Sequence, residues 1–219
     1  MINIVSKFID EKSLCKSGNK LLIAISGGAD SVALFLCLKE LGYDVELAHC
    51  NFNLRGDESD NDEEFVKQLA DKFGVRLHLK SFDTQKYADE NKVSIQMTAR
   101  DLRYKWFNEL LVDNNLNYIA VGHHKNDDVE TFFINLTRGS GLKGLLGIKS
   151  KNNKVIRPLL CVSRLEIEAY LSAVKQSFRE DSSNKAVKYL RNKIRYELIP
   201  LLTEMNPSIQ ETISNEIEI

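Results

Sequence analysis

The chain has 219 residues, 43% of them hydrophobic, with a formal net charge of −1 at neutral pH. That length suits one α/β domain of ordinary size, or one domain with a short appendage. No apolar run approaches the roughly 18–20 residues of a membrane span, and Met1-Ile2-Asn3-Ile4-Val5-Ser6-Lys7 lacks the apolar stretch of a signal peptide, so a cytoplasmic protein with no membrane partner is expected. Four scattered cysteines (Cys15, Cys37, Cys50, Cys161) form no Cys-x-x-Cys pair, which argues for reduced, buried thiols and against a zinc or iron–sulfur centre.

Residues 1–20 read as a short amphipathic lead-in, with Ile4, Val5, Phe8 and Ile9 apolar. The apolar run Leu21 to Ile25 reads as a strand buried on both faces, the kind found in parallel sheets. It stops at Ser26-Gly27-Gly28, and a helical pattern runs from Asp30-Ser31 to Gly42. Two glycines at a strand-to-helix turn let the backbone approach a ligand with no Cβ in the way. The free N–H groups of the first helical turn, at the positive end of the helix dipole, suit an anion such as phosphate. Asp30 at that turn is either a helix cap or a carboxylate that holds Mg²⁺ beside the same phosphate.

Val45 to His49 makes a second strand, which ends in His49-Cys-Asn-Phe-Asn-Leu-Arg55-Gly56. Six acidic residues crowd into 57–64 and open a helix that runs to Phe73, where Gly74 ends it. Complementarity to the helix dipole is the plain explanation for such a run. Val75–Phe82 is a third strand, and Asp83–Asn91 an irregular or short helical link. A long helix follows from Ser94 to Asn114, with Arg100 and Arg103 three apart and able to point the same way. Tyr118 to Val121 is a fourth strand, leading into Gly122-His123-His124-Lys125-Asn126-Asp127-Asp128-Val129-Glu130-Thr131, with a helix from Asp127 to Thr137.

The segment from Arg138 to Gly147 holds four glycines in ten residues and reads as a tightly turned loop. Val155 to Leu160 reads as a last, edge strand, because a proline cannot donate to the middle of a sheet. Ser163-Arg164-Leu165-Glu166 is a capping box that opens a helix to Lys175. Residues 179–195 carry six basic side chains, with Arg191 and Arg195 one turn apart on a helix ending near Pro200; such a face is either solvated or in contact with RNA phosphate.

Strand and helix alternate four times, which implies a Rossmann-like, mainly parallel sheet with helices on both faces, plus a short C-terminal helical extension. In such sheets the ligand sits beyond the carboxyl ends of the strands, where the strand order reverses. The polar turns at 26–31, 49–56 and 122–131 all follow strands, so they converge on one pocket. No lysine follows the glycines, which excludes the Gly-x-x-x-x-Gly-Lys loop of kinases and GTPases, and the Gly-x-Gly-x-x-Gly dinucleotide fingerprint is absent.

Ser26-Gly27-Gly28-Ala29-Asp30-Ser31 resembles the Ser-Gly-Gly-x-Asp-Ser loop of the ATP pyrophosphatase (PP-loop) superfamily. That resemblance implies ATP cleaved between its α and β phosphates, with adenylation of a substrate oxygen that a nucleophile then displaces. Such chemistry needs positioning, a metal and positive charge more than covalent help. Backbone N–H groups at Gly27–Ser31 suit the pyrophosphate, Asp30 and Asp127 are metal-ligand candidates, and His123, Arg100 and Arg103 stand ready for developing charge. Glu130, one turn after Asp127, suits a cationic nucleophile.

Further stretches resemble one family within that superfamily, the bacterial tRNA(Ile)-lysidine synthetases. They are His49 to Asp60, Ala99-Arg-Asp-Leu-Arg-Tyr104, Gly122–Thr131, Arg138-Gly-Ser-Gly141, Arg157-Pro-Leu-Leu160, Asp181-Ser-Ser-Asn184 and Arg191-Asn-Lys-Ile-Arg195. The resemblance implies that ATP adenylates the carbon-2 oxygen of the wobble cytidine in a CAU anticodon. The amine of free L-lysine then displaces AMP to leave lysidine. It places Ser26, Gly27, Gly28, Ala29, Asp30 and Ser31 at the pyrophosphate, Asp30 at Mg²⁺, and Arg103, His123, Asp127 and Glu130 among the catalytic and lysine-binding side chains. Asp127 stays open between metal and lysine; Arg55, Arg191 and Arg195 are assigned to the tRNA. Residues 1–150 are then the catalytic domain, and 151–219 an edge strand with a basic helical extension that begins a tRNA-contacting region; a homodimer is compatible with this reading. A tRNA thiolase, an amide-forming synthetase and a non-catalytic nucleotide-binding module are the alternatives that share the loop.

Overall fold

The computed structural model of the chain describes residues 1–141, 144–180 and 190–217. Its middle strand is β1 (Lys20–Ala24), which pairs in parallel with β2 (Asp44–Asn51) on one side and β4 (Tyr118–Ala120) on the other. β2 carries β3 (Leu77–Ser81) at one edge, and β4 carries β6 (Val155–Ile156), both in parallel. A two-residue strand, β5 (Lys151–Asn152), closes the other edge antiparallel, giving the order β3-β2-β1-β4-β6-β5.

The alternation of β1 explains the two covered faces. Leu21 and Ile23 pack with α1 (Ile2–Glu11), α2 (Ala29–Glu40) and α7 (Arg164–Ala173) through Val5, Phe35 and Ile167. Leu22 points the other way, against Trp106, Phe107 and Leu110 of α5 (Ile95–Asp113). All three β1 residues are wholly buried, as a parallel strand covered on both sides must be. The helix α2 is buried continuously from Ser31 to Leu38, as expected of a helix that is apolar all round. α3 (Asp57–Phe73) ends at Gly74 in a left-handed conformation, and α4 (Thr84–Asn91) is a regular helix capped by Asp83, which accepts from the Lys86 N–H. α6 (Lys125–Thr137) meets the C-terminal helices in a third cluster, where Val129 and Phe133 pack on Ile194 and Ile199. No helix among the described residues is long and apolar enough to cross a membrane.

Two expectations are corrected. Val155–Leu160 is not one edge strand: β6 stops at Ile156, sits one strand in from the edge, and gives way to a 3₁₀ turn over Pro158–Cys161. Pro158 has no N–H to extend a ladder and a fixed φ that suits the start of a turn. Asn153, at φ 51°, turns the chain from β5 into β6, leaving β5 as the edge. The basic helix does not end near Pro200 either. α8 (Leu190–Lys193) continues through a wide π turn over Ile194–Leu198 into α9 (Ile199–Met205), followed by α10 (Ile209–Ile217). The Ile199 N–H bonds Ile194 five residues back, and that extra residue makes room for a proline in the first turn of α9. The Asp181–Asn184 stretch lies outside the described residues.

Candidate active site

The strand order reverses between β1 and β4, and both send their following turns to the same end of the sheet. After β1, Gly27 takes φ +91°, open to glycine but strained for other residues. Ser26 and Ser31 tie the turn internally: their hydroxyls lie 3.2 Å apart, and Ser31 Oγ donates to the Gly28 carbonyl at 2.9 Å. Gly28 is the N-cap of α2; its own N–H donates to Ser26 Oγ at 3.3 Å, and no side-chain cap bond among the described residues takes up the N–H groups of the first helical turn, which suits them to an anion. His49, at the end of β2, donates Nδ1–H to the Ile25 carbonyl at 2.9 Å and holds the end of β1 in place.

After β4, Gly122 lies directly against the start of α2. A Cβ on Gly122 would stand 3.0 Å from the Asp30 carbonyl carbon and oxygen and 3.1 Å from the Ser31 nitrogen. Backbone cannot yield as a flexible side chain can. Gly122→Ala is therefore expected to push the two turns apart, lowering stability by about 1–3 kcal/mol and weakening nucleotide binding. Thermal melting and titration with an ATP analogue check this; unchanged affinity would show that the two turns do not share a ligand.

Asp30 and Asp127 converge on one buried histidine. His124 Nε2 lies 3.8 Å from Asp30 Oδ1 and 3.5 Å from Asp127 Oδ2, and the same Asp127 oxygen accepts the His124 backbone N–H at 3.1 Å. His124 is 3% exposed, and its Nδ1 has no hydrogen-bond partner among the described residues. Arg164 Nη1 reaches Asp30 Oδ1 at 2.8 Å from α7. Burial raises the Asp30 pKa, against the pull of His124 and Arg164.

Glu130 is 1% exposed and gripped from the C-terminal helices. Arg195 Nε and Nη2 meet its two oxygens at 2.5 and 3.0 Å, and Arg191 Nε stands 3.4 Å away. Arg195 Nη2 also lies 3.5 Å from Asp127 Oδ1. Burial raises the Glu130 pKa and the Arg195 contact opposes it. Two arginines that the sequence reading assigned to tRNA thus face inward onto the carboxylate it assigned to lysine.

Burial pushes the His123 imidazole down to about 4, against Asp127 and with help from the Arg157, Arg191 and Arg100 charges. Its Nδ1 accepts from Arg157 Nε at 3.1 Å, so the neutral ring carries its proton on Nε2 as a donor. Arg103 and Arg100 lie over aromatic rings, Phe52 at 5.2 Å and Tyr104 at 5.0 Å. Arg55 pairs with Asp62 at 2.9 Å instead of standing free for a phosphate.

The structure thus brings together Ser26–Ser31, Asp30, Asp127 and Glu130, with His123 on the same turn; Arg103 and Arg55 hold partners of their own. It adds His124 and Arg164, to which the sequence reading gave no role in the chemistry, and Arg157, which heads one of the stretches that carry the resemblance.

Residues 2–202 match the family model described as the PP-loop domain. The chain belongs to the PP-loop domain family. It is 50% identical over 209 residues to a tRNA(Ile)-lysidine synthase of Bacteroides thetaiotaomicron, covering 95% of this chain and 49% of that protein. It is 49% identical over 215 residues to the tRNA(Ile)-lysidine synthase of Porphyromonas gingivalis W83, covering 97% and 47%. The chain therefore spans about half the length of these relatives. Among solved structures, the U34-tRNA thiolase NcsA of Methanococcus maripaludis superposes with a TM-score of 0.77 at 19% identity, over 99% of this chain and 77% of that one. At that identity the likeness is one of PP-loop fold.

Proposed function

We propose that this chain carries the catalytic chemistry that joins free L-lysine to carbon 2 of the wobble cytidine in the CAU anticodon of tRNA(Ile), in the cytoplasm. The observation that supports it best is the convergence of the PP-loop turn, Asp30, Asp127 and Glu130 at the sheet's switch point, in a chain about half identical to proteins of that name. Residues 1–150 supply the ATP chemistry and 151–219 begin the tRNA-contacting region.

The first-turn N–H groups of α2 receive the pyrophosphate part of ATP. The cytidine carbon-2 oxygen attacks the α phosphorus, pyrophosphate leaves, and the oxygen is adenylated. His123 donates Nε2–H to oxygen that gains charge in this step. The lysine ε-amine, once its ammonium has passed a proton to the carboxylates that hold it, attacks carbon 2. The carbon-2–oxygen bond breaks, AMP departs with the oxygen, and the nitrogen of the new C–N bond sheds its remaining excess proton to the same carboxylates. Asp30 and Asp127 fit Mg²⁺, because the ion is commonly held by one or two carboxylates together with substrate phosphates, and theirs flank one buried imidazole. Bound there, it would neutralise phosphate charge. Glu130 and Asp127 recognise the lysine ammonium, the cation exchanging with the Arg195 guanidinium that holds both carboxylates.

The test is incorporation of [¹⁴C]lysine into a CAU-anticodon tRNA(Ile) transcript with ATP and Mg²⁺. Labelling that requires ATP and the CAU anticodon is the expected result. A folded chain that binds ATP but gives neither labelling nor tRNA-dependent pyrophosphate release would overturn the proposal.

A further inference from the structure

We infer that Asp62 is a positioning residue for the nucleotide, acting through Arg179 on the glycine turn; the inference rests on the ATP reading of that turn. Asp62 sits in the acidic run that opens α3, yet it is 8% exposed while Asp57, Glu58, Asp60 and Glu64 face solvent. Dipole complementarity accounts for the exposed ones. It does not account for a carboxylate turned inward, which must find partners to be buried at all.

Among the described residues Asp62 has two partners. Arg179 Nε donates to Oδ1 at 3.0 Å, and Arg55 Nη2 to Oδ2 at 2.9 Å. Arg179 also lies along the glycine turn through its backbone: its N–H donates to the Gly27 carbonyl at 2.9 Å, and it forms an isolated parallel bridge with Gly28. Its Cγ and the Phe65 ring roof Gly27, 3.4 and 3.3 Å from where a Cβ would sit. Ser26 and Ser31 brace the turn from within. Arg179 braces it from outside, and Asp62 fixes the direction in which Arg179 leaves the backbone.

The brace acts by preorganisation: a turn fixed before binding does not lose that ordering entropy when ATP arrives. Loss of Asp62 should therefore fall on ATP binding and leave the later steps alone.

The experiment measures the dissociation constant for a non-hydrolysable ATP analogue, and the KM values for ATP and lysine, in Asp62→Asn, Arg179→Gln and the double variant. Asp57→Asn serves as a surface control. Expected is a loss of ATP-analogue affinity of about tenfold in Asp62→Asn, with kcat and the lysine KM within about twofold of wild type. Arg179→Gln should match it, and the double variant should add little, since both substitutions break one link. A drop in melting temperature with unchanged analogue affinity would reduce Asp62 to a structural ion pair and overturn the inference. Should Asp62→Asn fail to fold, Arg179→Gln with unchanged affinity would overturn it equally. Failure of the wild-type chain to bind the analogue would instead sink the ATP reading itself.

Discussion

Asp30→Asn is expected to cut ATP-dependent lysine incorporation by roughly a hundredfold or more, the scale of losing one preorganised charge at a reacting centre, while leaving the melting temperature near that of wild type at neutral pH. The two halves of this expectation have different physical origins. The activity falls because asparagine keeps the shape of the side chain but removes the charge proposed to hold Mg²⁺ against the phosphate. Stability holds because the wild-type charge is itself a strain on the fold. Burial raises the Asp30 pKa above its ordinary value despite Arg164 at 2.8 Å and His124 at 3.8 Å. A carboxylate with a raised folded pKa binds more protons folded than unfolded, so it subtracts stability as the pH rises through that window. Asparagine never ionises and escapes the penalty. Arg164 keeps Glu168 at 2.7 Å, so its guanidinium is not stranded. Retention of near-wild-type labelling in a folded Asp30→Asn variant would remove Asp30 from the chemistry.

Much of this arrangement is legible in the sequence because its signals are local. Ser26–Ser31 combines a buried strand, a turn only glycine adopts easily and a helix start within a few residues, and each part constrains the next. Asp127 and Glu130 lie three apart on one helix, so their sharing one face follows from helical spacing. The remaining features depend on residues distant in the chain. Arg164 meets Asp30 across 134 residues, and Arg179 meets Asp62 across 117. Neither pairing leaves a mark on hydrophobic periodicity or spacing. Asp62 is hidden for a second reason, because a carboxylate in an acidic helix start already has a sufficient local explanation. Arg100 and Arg103 show the opposite failure. Their spacing places them on one face and would pair Arg100 with Tyr104 one turn on, but Phe52, the partner of Arg103, lies 51 residues away and spacing cannot reveal it. The π turn before Pro200 is a local accommodation, visible only once the helix is known to continue.

Arg195→Ala is expected to destabilise the fold by about 3 kcal/mol at neutral pH, the lower end of the loss when one partner of a buried ion pair is removed. Among the described residues, Glu130, 1% exposed, would keep only Arg191 at 3.4 Å in place of the two-pronged contact at 2.5 and 3.0 Å. The sign of the pH dependence distinguishes this from simple loss of packing. Burial already raises the Glu130 pKa, and Arg195 is the chief influence lowering it. Without Arg195 the folded pKa rises further, so the stability belonging to the protonated form is present at low pH and lost as pH climbs through the folded value. The deficit of Arg195→Ala relative to wild type should thus be smaller at about pH 5 than at about pH 8. Adding Glu130→Gln should recover much of the stability at pH 8, because the stranded charge is gone, while lysine incorporation falls with the loss of the Glu130 carboxylate. Melting curves of the two single variants and the double variant at both pH values decide the matter. A deficit that ignores pH, or a double variant as unstable as the sum of its parts, would mean that Arg195 stabilises through its contacts along the C-terminal helices and that Glu130 carries no buried charge.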